Sequence, residues 1–243
     1  MNNIGPKCGS SDKRNAEYLE AFSLQKFFKS LVTQPAPIIL DVGGHRGESV
    51  LFFKDIFPEC KIYSFEPDPD NFEELEKCCA EINTAFGGAV AINQAVGDRS
   101  GFVEFFKQDI SHLGGLLPIN KNSKDSLGYA EKAQNKPISV QGITLDQFFI
   151  ENRLQHIDLL KIDVQGFETT VLRGAEKVLQ KTSCCIVEVS FYDFYKGGSS
   201  LFRVEQAMQN AEMILWDISK VSKNPKNFRS DWAELVYVRR EQS

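Results

Sequence analysis

The chain has no apolar run of membrane-spanning length, no surplus of positive charge and no cysteine or histidine pattern of metal-binding spacing. Each absence excludes a class of function. Without an apolar stretch of about 20 residues there is no transmembrane helix. With 28 Lys and Arg against 33 Asp and Glu, and no basic stripe, nucleic acid is not an expected partner. The start, Met1 to Ser11, is polar and lacks the apolar core of a signal peptide. The six cysteines include the adjacent pairs Cys78-Cys79 and Cys184-Cys185, and no CxxC. Neighbouring residues in a helix or strand point different ways, so these read as reduced thiols of a cytoplasmic protein. The three histidines have no ligand spacing, and no metal is expected. The dinucleotide fingerprint G-x-G-x-x-G is missing too: from Gly43 it would require glycine where His45 and Glu48 stand.

What is present is an apolar run, Ile38 to Leu40, leading through Asp41 and Val42 into Gly43, Gly44 and Gly47. It reads as a strand buried on both faces, then a glycine turn, then a helix from Glu48 to Phe57. Glycines let backbone approach a ligand, and free N–H groups at a helix start point at it. Asp41 suits a cationic ligand amine and would repel a pyrophosphate. The D-x-G-x-x-x-G spacing looks like the first motif of class I S-adenosylmethionine-dependent methyltransferases.

Along the rest of the chain, Met1 to Asn15 reads as a loose end and Ala16 to Val32 as an amphipathic helix. Residues 1–36 therefore form a tail and a helix ahead of one domain, 37–243. Lys61 to Phe65 is a second strand and ends in Glu66-Pro67-Asp68, with a helix over Asn71 to Ile82. An acid at the end of that strand, such as Glu66, can accept both ribose hydroxyls of an adenosine cofactor. Ala89 to Val96 is the third strand, where Ala95 and Val96 are placed to wall the adenine. Phe102 to Phe106 is a short extra strand. Gln108 to Lys136 is irregular and reads as a substrate lid. Ile138 to Ile143 is a strand, with Thr144 capping the next helix. Ile157 to Val164 is the fourth core strand, a helix runs from Glu168 to Leu179, and Cys184 to Val189 is the fifth strand. A helix over Leu201 to Asn210 precedes strands at Met213 to Ile218 and Leu235 to Val238, which can pair as a hairpin. This alternation predicts an α/β, doubly wound, Rossmann-like sheet of seven mostly parallel strands with helices on both faces, and ligands at the carboxyl ends of its strands.

Four segments occur together: Asp41 to Gly47, Phe65-Glu66-Pro67, Asn93 to Asp98, and Asp158 to Glu168 with its K-I-D-V-x-G-x-E core. The combination resembles the FkbM family of S-adenosylmethionine-dependent methyltransferases, from about Ile38 to Glu188, and Thr144-Leu145-Asp146 is similar to it as well. The resemblance implies O-methylation of a hydroxyl on a sugar or natural-product scaffold, with S-adenosyl-L-methionine as cofactor. The family usually has a small residue and Asn where Gly44-His45 stand, and Glu where Gln165 stands.

Methyl transfer to oxygen needs alignment and a base for the hydroxyl proton. Asp163, at the end of the fourth core strand, is the candidate base. Lys161 lies two residues earlier on the same strand face, where a Lys and an Asp are costly to bury unpaired. His45 in the glycine turn and Glu168 one turn into the next helix complete the candidate catalytic set. Asp41, Gly43, Gly44, Gly47, Glu66, Ala95 and Val96 are the candidate cofactor residues. His112 reads as a surface residue in the lid, Asp158 and His156 as structural, and Glu188 as a strand-end acid facing substrate or solvent. Asp163, Glu168 and Glu188 have the chemistry of oxygen ligands but no local metal motif. Phe191 to Tyr195 are offered either to a sugar or to the core, and the aromatic N-terminal helix either to its own sheet or to a second copy in a homo-oligomer. Two other readings stay open: an NAD-dependent oxidoreductase using Glu66, and a catalytically silent module of the same fold.

Overall fold

A computed structural model describes residues 20–123 and 128–240. The first half of the chain runs α1 (Leu24–Leu31), β1 (Ile38–Val42), α2 (Glu48–Ile56), β2 (Lys61–Phe65), α3 (Pro69–Ala85) and β3 (Ala89–Ile92). Next come β4 (Ala95–Val96), β5 (Gly101–Lys107), a 3-10 turn (Ser111–Leu113), α4 (Tyr129–Lys132) and β6 (Lys136–Ile143). The second half is α5 (Leu145–Glu151), β7 (Ile157–Ile162), α6 (Glu168–Arg173), α7 (Glu176–Leu179), β8 (Thr182–Ser190), α8 (Leu201–Asn210), β9 (Met213–Lys223) and β10 (Ser230–Arg239).

Seven strands form one sheet in the order β3-β2-β1-β7-β8-β10-β9. β1, β2, β3, β7 and β8 are parallel, and β10 runs antiparallel to both β8 and β9. The chain winds outward from β1 to β3 and then returns to place β7 on the other side of β1. Winding thus reverses between β1 and β7, and the crevice at their carboxyl ends is where an open α/β sheet binds ligands. Burial explains why these strands are apolar without alternation. Ile39, Leu40, Val42, Leu159, Leu160 and Ile162 are all inaccessible to solvent. Leu40, Leu160 and Ile162 pack on α6, α7 and α8, while Ile39 and Leu159 pack on α2 and α3.

Four predicted elements differ in the structure. The helix expected over Ala16 to Val32 is interrupted after Glu20, which is helical, and resumes at Leu24, where Ser23 is extended and its side chain accepts the Lys26 N–H; residues 16–19 lie outside the described residues. Phe28 of this helix packs edge-on against Phe52 and Phe53, on its own fold. The single strand expected over Ala89 to Val96 is two. Its continuity breaks at Asn93, whose amide donates to the Glu66 carbonyl at 2.9 Å, and Ala95–Val96 then joins a separate sheet in the order β4-β6-β5. The helix over 168–179 is broken at Gly174, whose carbonyl accepts the Asp146 N–H. The Asp146 carboxylate in turn caps the start of α7 by accepting the N–H groups of Lys177 and Val178 at 3.0 and 2.9 Å. The final hairpin forms as expected but is longer, with eleven residues in β9 and ten in β10.

Candidate active site

Pairing register assembles the polar centre. Asp41 lies opposite Ser64 on β2 and opposite Lys161 on β7, so three neighbouring strands present these side chains on one face. Ser64 Oγ donates to Asp41 Oδ2 at 2.6 Å, and Lys161 Nζ lies 3.7 Å from Asp41 Oδ1. One pleat nearer the carboxyl edge, Asp163 Oδ2 sits 3.4 Å from the same ammonium. Burial opposes the charge on Lys161, but the carboxylates of Asp163 and Asp41 outweigh it and raise its pKa, so the ammonium stays protonated. Along the same row, Glu188 on β8 lies opposite Glu234 on β10, and Glu234 opposite Lys220 on β9.

Two cavities meet at this row. The first, about 300 Å³, is lined on one side by Gly43, Gly44, His45 and Glu66 and roofed by Ser111, His112 and the 114–116 segment. The second, about 410 Å³, is lined by Glu188, Tyr192, Tyr195 and Trp232, among others. Asp163, Gln165, His112, Lys220 and Glu234 line both. A larger hollow of about 850 Å³ beyond Phe191 and Phe202 reaches neither Asp163 nor Glu66.

The first cavity has the features of a cofactor site. Glu66, 6% exposed, accepts the His45 N–H on Oε2 at 2.9 Å and the Asp68 N–H on Oε1 at 2.8 Å. Each oxygen keeps a further acceptor position for a hydroxyl. Burial pushes this carboxyl up to about 8 against those two donors. Gly43 has φ +94°, and a Cβ there would overlap the Asp163 carbonyl oxygen; at Gly44 a Cβ would overlap Ser64 Oγ. The glycines therefore let the turn close over β2 and β7. The amides of the turn are used within the fold, contrary to the expectation that they point at a ligand. Those of Gly43 and Gly44 both donate to the Phe65 carbonyl, and that of His45 goes to Glu66.

The structure places the sequence-derived candidates unevenly. Gly43, Gly44, His45, Glu66, Ala95, Lys161 and Asp163 line the first cavity. Asp41, Gly47, Val96 and Glu168 do not. Asp41 is fully buried under the glycine turn, where its Oδ2 accepts from Ser64 and its Oδ1, without a hydrogen bond, faces the Lys161 ammonium at 3.7 Å. Gly47 abuts Cys78 of α3, and Val96 belongs to the apolar core. Glu168 is 3% exposed and turned back on its own loop, where it accepts the Gly166 N–H at 2.8 Å; burial pushes it up to about 7. It braces the turn after β7 rather than reaching the cavity. The His45 ring bridges Glu48 at 3.1 Å and Ser111 at 2.8 Å, tying the glycine turn to the roof, and does not line the second cavity. His112, expected at the surface, is exposed and also lines both cavities, and burial with the nearby His45 lowers its pKa. His156 contacts Asp158 at 3.3 Å at the far end of β7, where Asp158 accepts the Ile38 N–H.

Three contributors were not signalled by sequence. Lys220 and Glu234 lie on strands whose predicted ends fell short of them. Ser64 has no motif and is found only through its register with Asp41. Gln165 holds φ +57° and donates from Nε2 to Asp163 Oδ1 at 2.9 Å. Among the described residues no group of three or more His, Cys, Asp or Glu is arranged to hold a metal ion.

Residues 41–215 match the family model described as the methyltransferase FkbM domain. 2-O-methyltransferase NoeI from Sinorhizobium fredii is 29% identical over 191 residues, 76% of this chain and 76% of that protein. Hexuronic acid methyltransferase AglP from Haloferax volcanii is 23% identical over 152 residues, 63% of this chain and 55% of that protein. The crystal structure of methyltransferase FkbM from Methylobacillus flagellatus KT superposes with a TM-score of 0.55 at 12% identity, covering 84% of this chain and 44% of that chain.

Proposed function

Because the chain belongs to the FkbM methyltransferase family, we propose that it transfers the methyl group of S-adenosylmethionine to a hydroxyl oxygen on a sugar or similar hydroxylated scaffold. The observation that carries the reading is the position of Asp163, on the wall common to the cavity with the glycine turn and Glu66 and the aromatic cavity beside it. A base for this reaction has to reach the acceptor hydroxyl while the acceptor oxygen faces the donor, and a carboxylate at the junction does both. The name of the relative NoeI, a 2-O-methyltransferase, supports oxygen as the acceptor atom, and that of AglP, a hexuronic acid methyltransferase, supports a carbohydrate-type scaffold, though of the acidic kind.

When bound, S-adenosylmethionine supplies a methyl group already activated on a sulfonium. The residues present fit it: Glu66 offers two acceptor positions to a ribose diol, and Ala95 gives the same cavity an apolar wall. With the donor bound, Asp163 would take the proton of the acceptor hydroxyl as that oxygen accepts the methyl group. Lys161 faces Asp163 at 3.4 Å and Asp41 at 3.7 Å. Gln165 fixes the direction of one Asp163 oxygen.

Calorimetric titration with S-adenosylhomocysteine, with NAD as control, tests the cofactor. Micromolar binding of the first and none of the second supports the reading. Binding of NAD alone would turn it toward an oxidoreductase. An acceptor screen that detects S-adenosylhomocysteine release then tests the reaction, and a protein that binds the cofactor product but methylates no hydroxylated compound would be a silent module.

A further inference from the structure

The second cavity has a definite chemical character. Aromatic faces come from Tyr192, Phe194, Tyr195 and Trp232, and carboxylates from Asp163, Glu188, Asp231 and Glu234. Lys220 is the one ammonium among its described lining residues. Three cations at the cavity face a carboxylate. Lys220 lies 3.6 Å from Glu234 and over the Trp232 ring at 4.9 Å. Arg229 lies 3.2 Å from Asp231 and stacks on Tyr192 at 4.2 Å. Lys161 sits between Asp41 and Asp163. Glu188 is left over, directly across the sheet from Glu234. Like charges in that position repel.

Among the described lining residues an anionic acceptor would meet four carboxylates and a single ammonium, Lys220, which already faces Glu234, so its own charge would be desolvated with little compensation. A neutral, hydroxyl-rich ring would meet what it needs. Ionised carboxylates accept hydroxyl protons, each oxygen having two acceptor positions. The aromatic faces cover the apolar side of a sugar ring. Glu188 adds a different group. Burial, with Asp163 beside it, raises its pKa well above its ordinary value against the pull of Lys161, which favours the protonated form and with it one hydrogen-bond donor.

We propose that this cavity is the acceptor subsite and that it selects an uncharged glycoside, rejecting uronates and phosphosugars, because carboxylates outnumber ammonium groups among its described lining residues and Lys220, together with Arg229 and Lys161 at its margin, faces a carboxylate of the wall. This rests on the methyltransferase reading of the neighbouring site.

The test uses the full chain with S-adenosylhomocysteine and matched probes: methyl glucoside against methyl glucuronide, and methyl galactoside against methyl galacturonide. Binding is read by saturation-transfer NMR and turnover by S-adenosylhomocysteine release from S-adenosylmethionine. The neutral member of at least one pair is expected to bind at least tenfold more tightly than its uronate, a difference of about 1.4 kcal/mol. In Glu234→Gln, Lys220 loses its carboxylate, and the preference should narrow; a broken fold is checked by retained S-adenosylhomocysteine affinity, and Asp231→Asn, which releases Arg229, gives a second reading of the same effect. Uronates bound as well as or better than their neutral partners would overturn the proposal. So would S-adenosylhomocysteine binding with no glycoside bound at all, which leaves the cofactor reading standing. Failure to bind S-adenosylhomocysteine would instead overturn the methyltransferase reading and the proposal with it.

Discussion

The Tyr195 hydroxyl donates to Gln165 Oε1 at 2.7 Å, and that contact decides which end of the amide faces Asp163. With Oε1 held by the phenol, Nε2 is left to donate to Asp163 Oδ1 at 2.9 Å. A residue in the wall of the aromatic cavity thereby sets the direction of the proposed base. Tyr195→Phe removes the donor and lets the amide turn, so its oxygen can face the carboxylate. We expect kcat to fall roughly tenfold, a cost of about 1.4 kcal/mol in the transition state, with S-adenosylhomocysteine affinity unchanged. Unchanged kcat in steady-state kinetics would show that the amide orientation has no effect on the reaction.

Gln165→Glu tests the same contact by charge. A carboxylate 2.9 Å from Asp163 cannot remain ionised beside it without cost, so the two would share a proton. The acidic limb of the rate profile should move to higher pH in the variant. A profile superimposable on that of the unmodified chain would argue that Asp163 is not the titrating base.

Glu66 makes cofactor affinity pH-dependent. Its carboxyl is pushed up to about 8 by burial, so over most of the neutral range it holds a proton and has lost an acceptor position. Binding a ribose diol through both oxygens requires that proton to leave. Affinity for S-adenosylhomocysteine should therefore rise as pH goes from 6 to 8, by up to about tenfold per unit, and level off above that. The empty protein has the opposite trend: the proton is bound more tightly in the folded state, so this contribution to stability is full below 4.5 and is lost as pH rises to about 8. Calorimetry across this range checks the first and thermal melts the second. Glu66→Gln should flatten both curves and weaken binding more than tenfold, about 1.4 kcal/mol. A pH-independent affinity equal in the two proteins would move the ribose elsewhere.

The doubly wound, mostly parallel sheet was legible because β1, β2, β7 and β8 are apolar runs closed by glycine or an acid, and buried parallel strands demand that pattern. The positions of Glu66 and Asp163 were legible for the same reason, as acids where such runs end. The surroundings of Asp41 were not. An acid before a glycine turn reads as a ligand contact, and only register reveals that Ser64 and Lys161 sit opposite it on the neighbouring strands. Lys220 and Glu234 escaped notice because β9 exposes most of its residues and carries no clean alternation. The roof was expected as a lid, but its contact with His45 through Ser111 joins residues 66 positions apart, which no local pattern encodes.

Asp163→Asn separates binding from chemistry. The amide keeps the shape and a hydrogen bond to Gln165 but cannot take the acceptor proton. Turnover should fall by roughly 10²–10⁴-fold, the usual contribution of a positioned general base, while S-adenosylhomocysteine binds as before. Full turnover in a stopped-time assay would remove Asp163 from the role of base.

The buried pair Asp41 and Lys161 predicts an asymmetry that distinguishes scaffold from ligand contact. Lys161→Met removes the ammonium from the fully buried Asp41 and leaves it hydroxyl partners alone, Ser64 and Ser49, a loss of the buried pair that costs roughly 3–5 kcal/mol. Asp41→Asn keeps the shape and leaves Lys161 with Asp163, so its cost should be smaller. In the double variant the buried carboxylate and its ammonium are both gone, and stability should recover relative to Lys161→Met, giving a coupling energy in a denaturant double-mutant cycle. If Asp41 instead contacts the cofactor directly, Asp41→Asn would lose S-adenosylhomocysteine affinity at unchanged stability and show no coupling to Lys161. Its complete burial beneath the turn argues for the first outcome: a carboxylate with no exposed surface acts on the cavity through the lysine it holds, and through that lysine on Asp163.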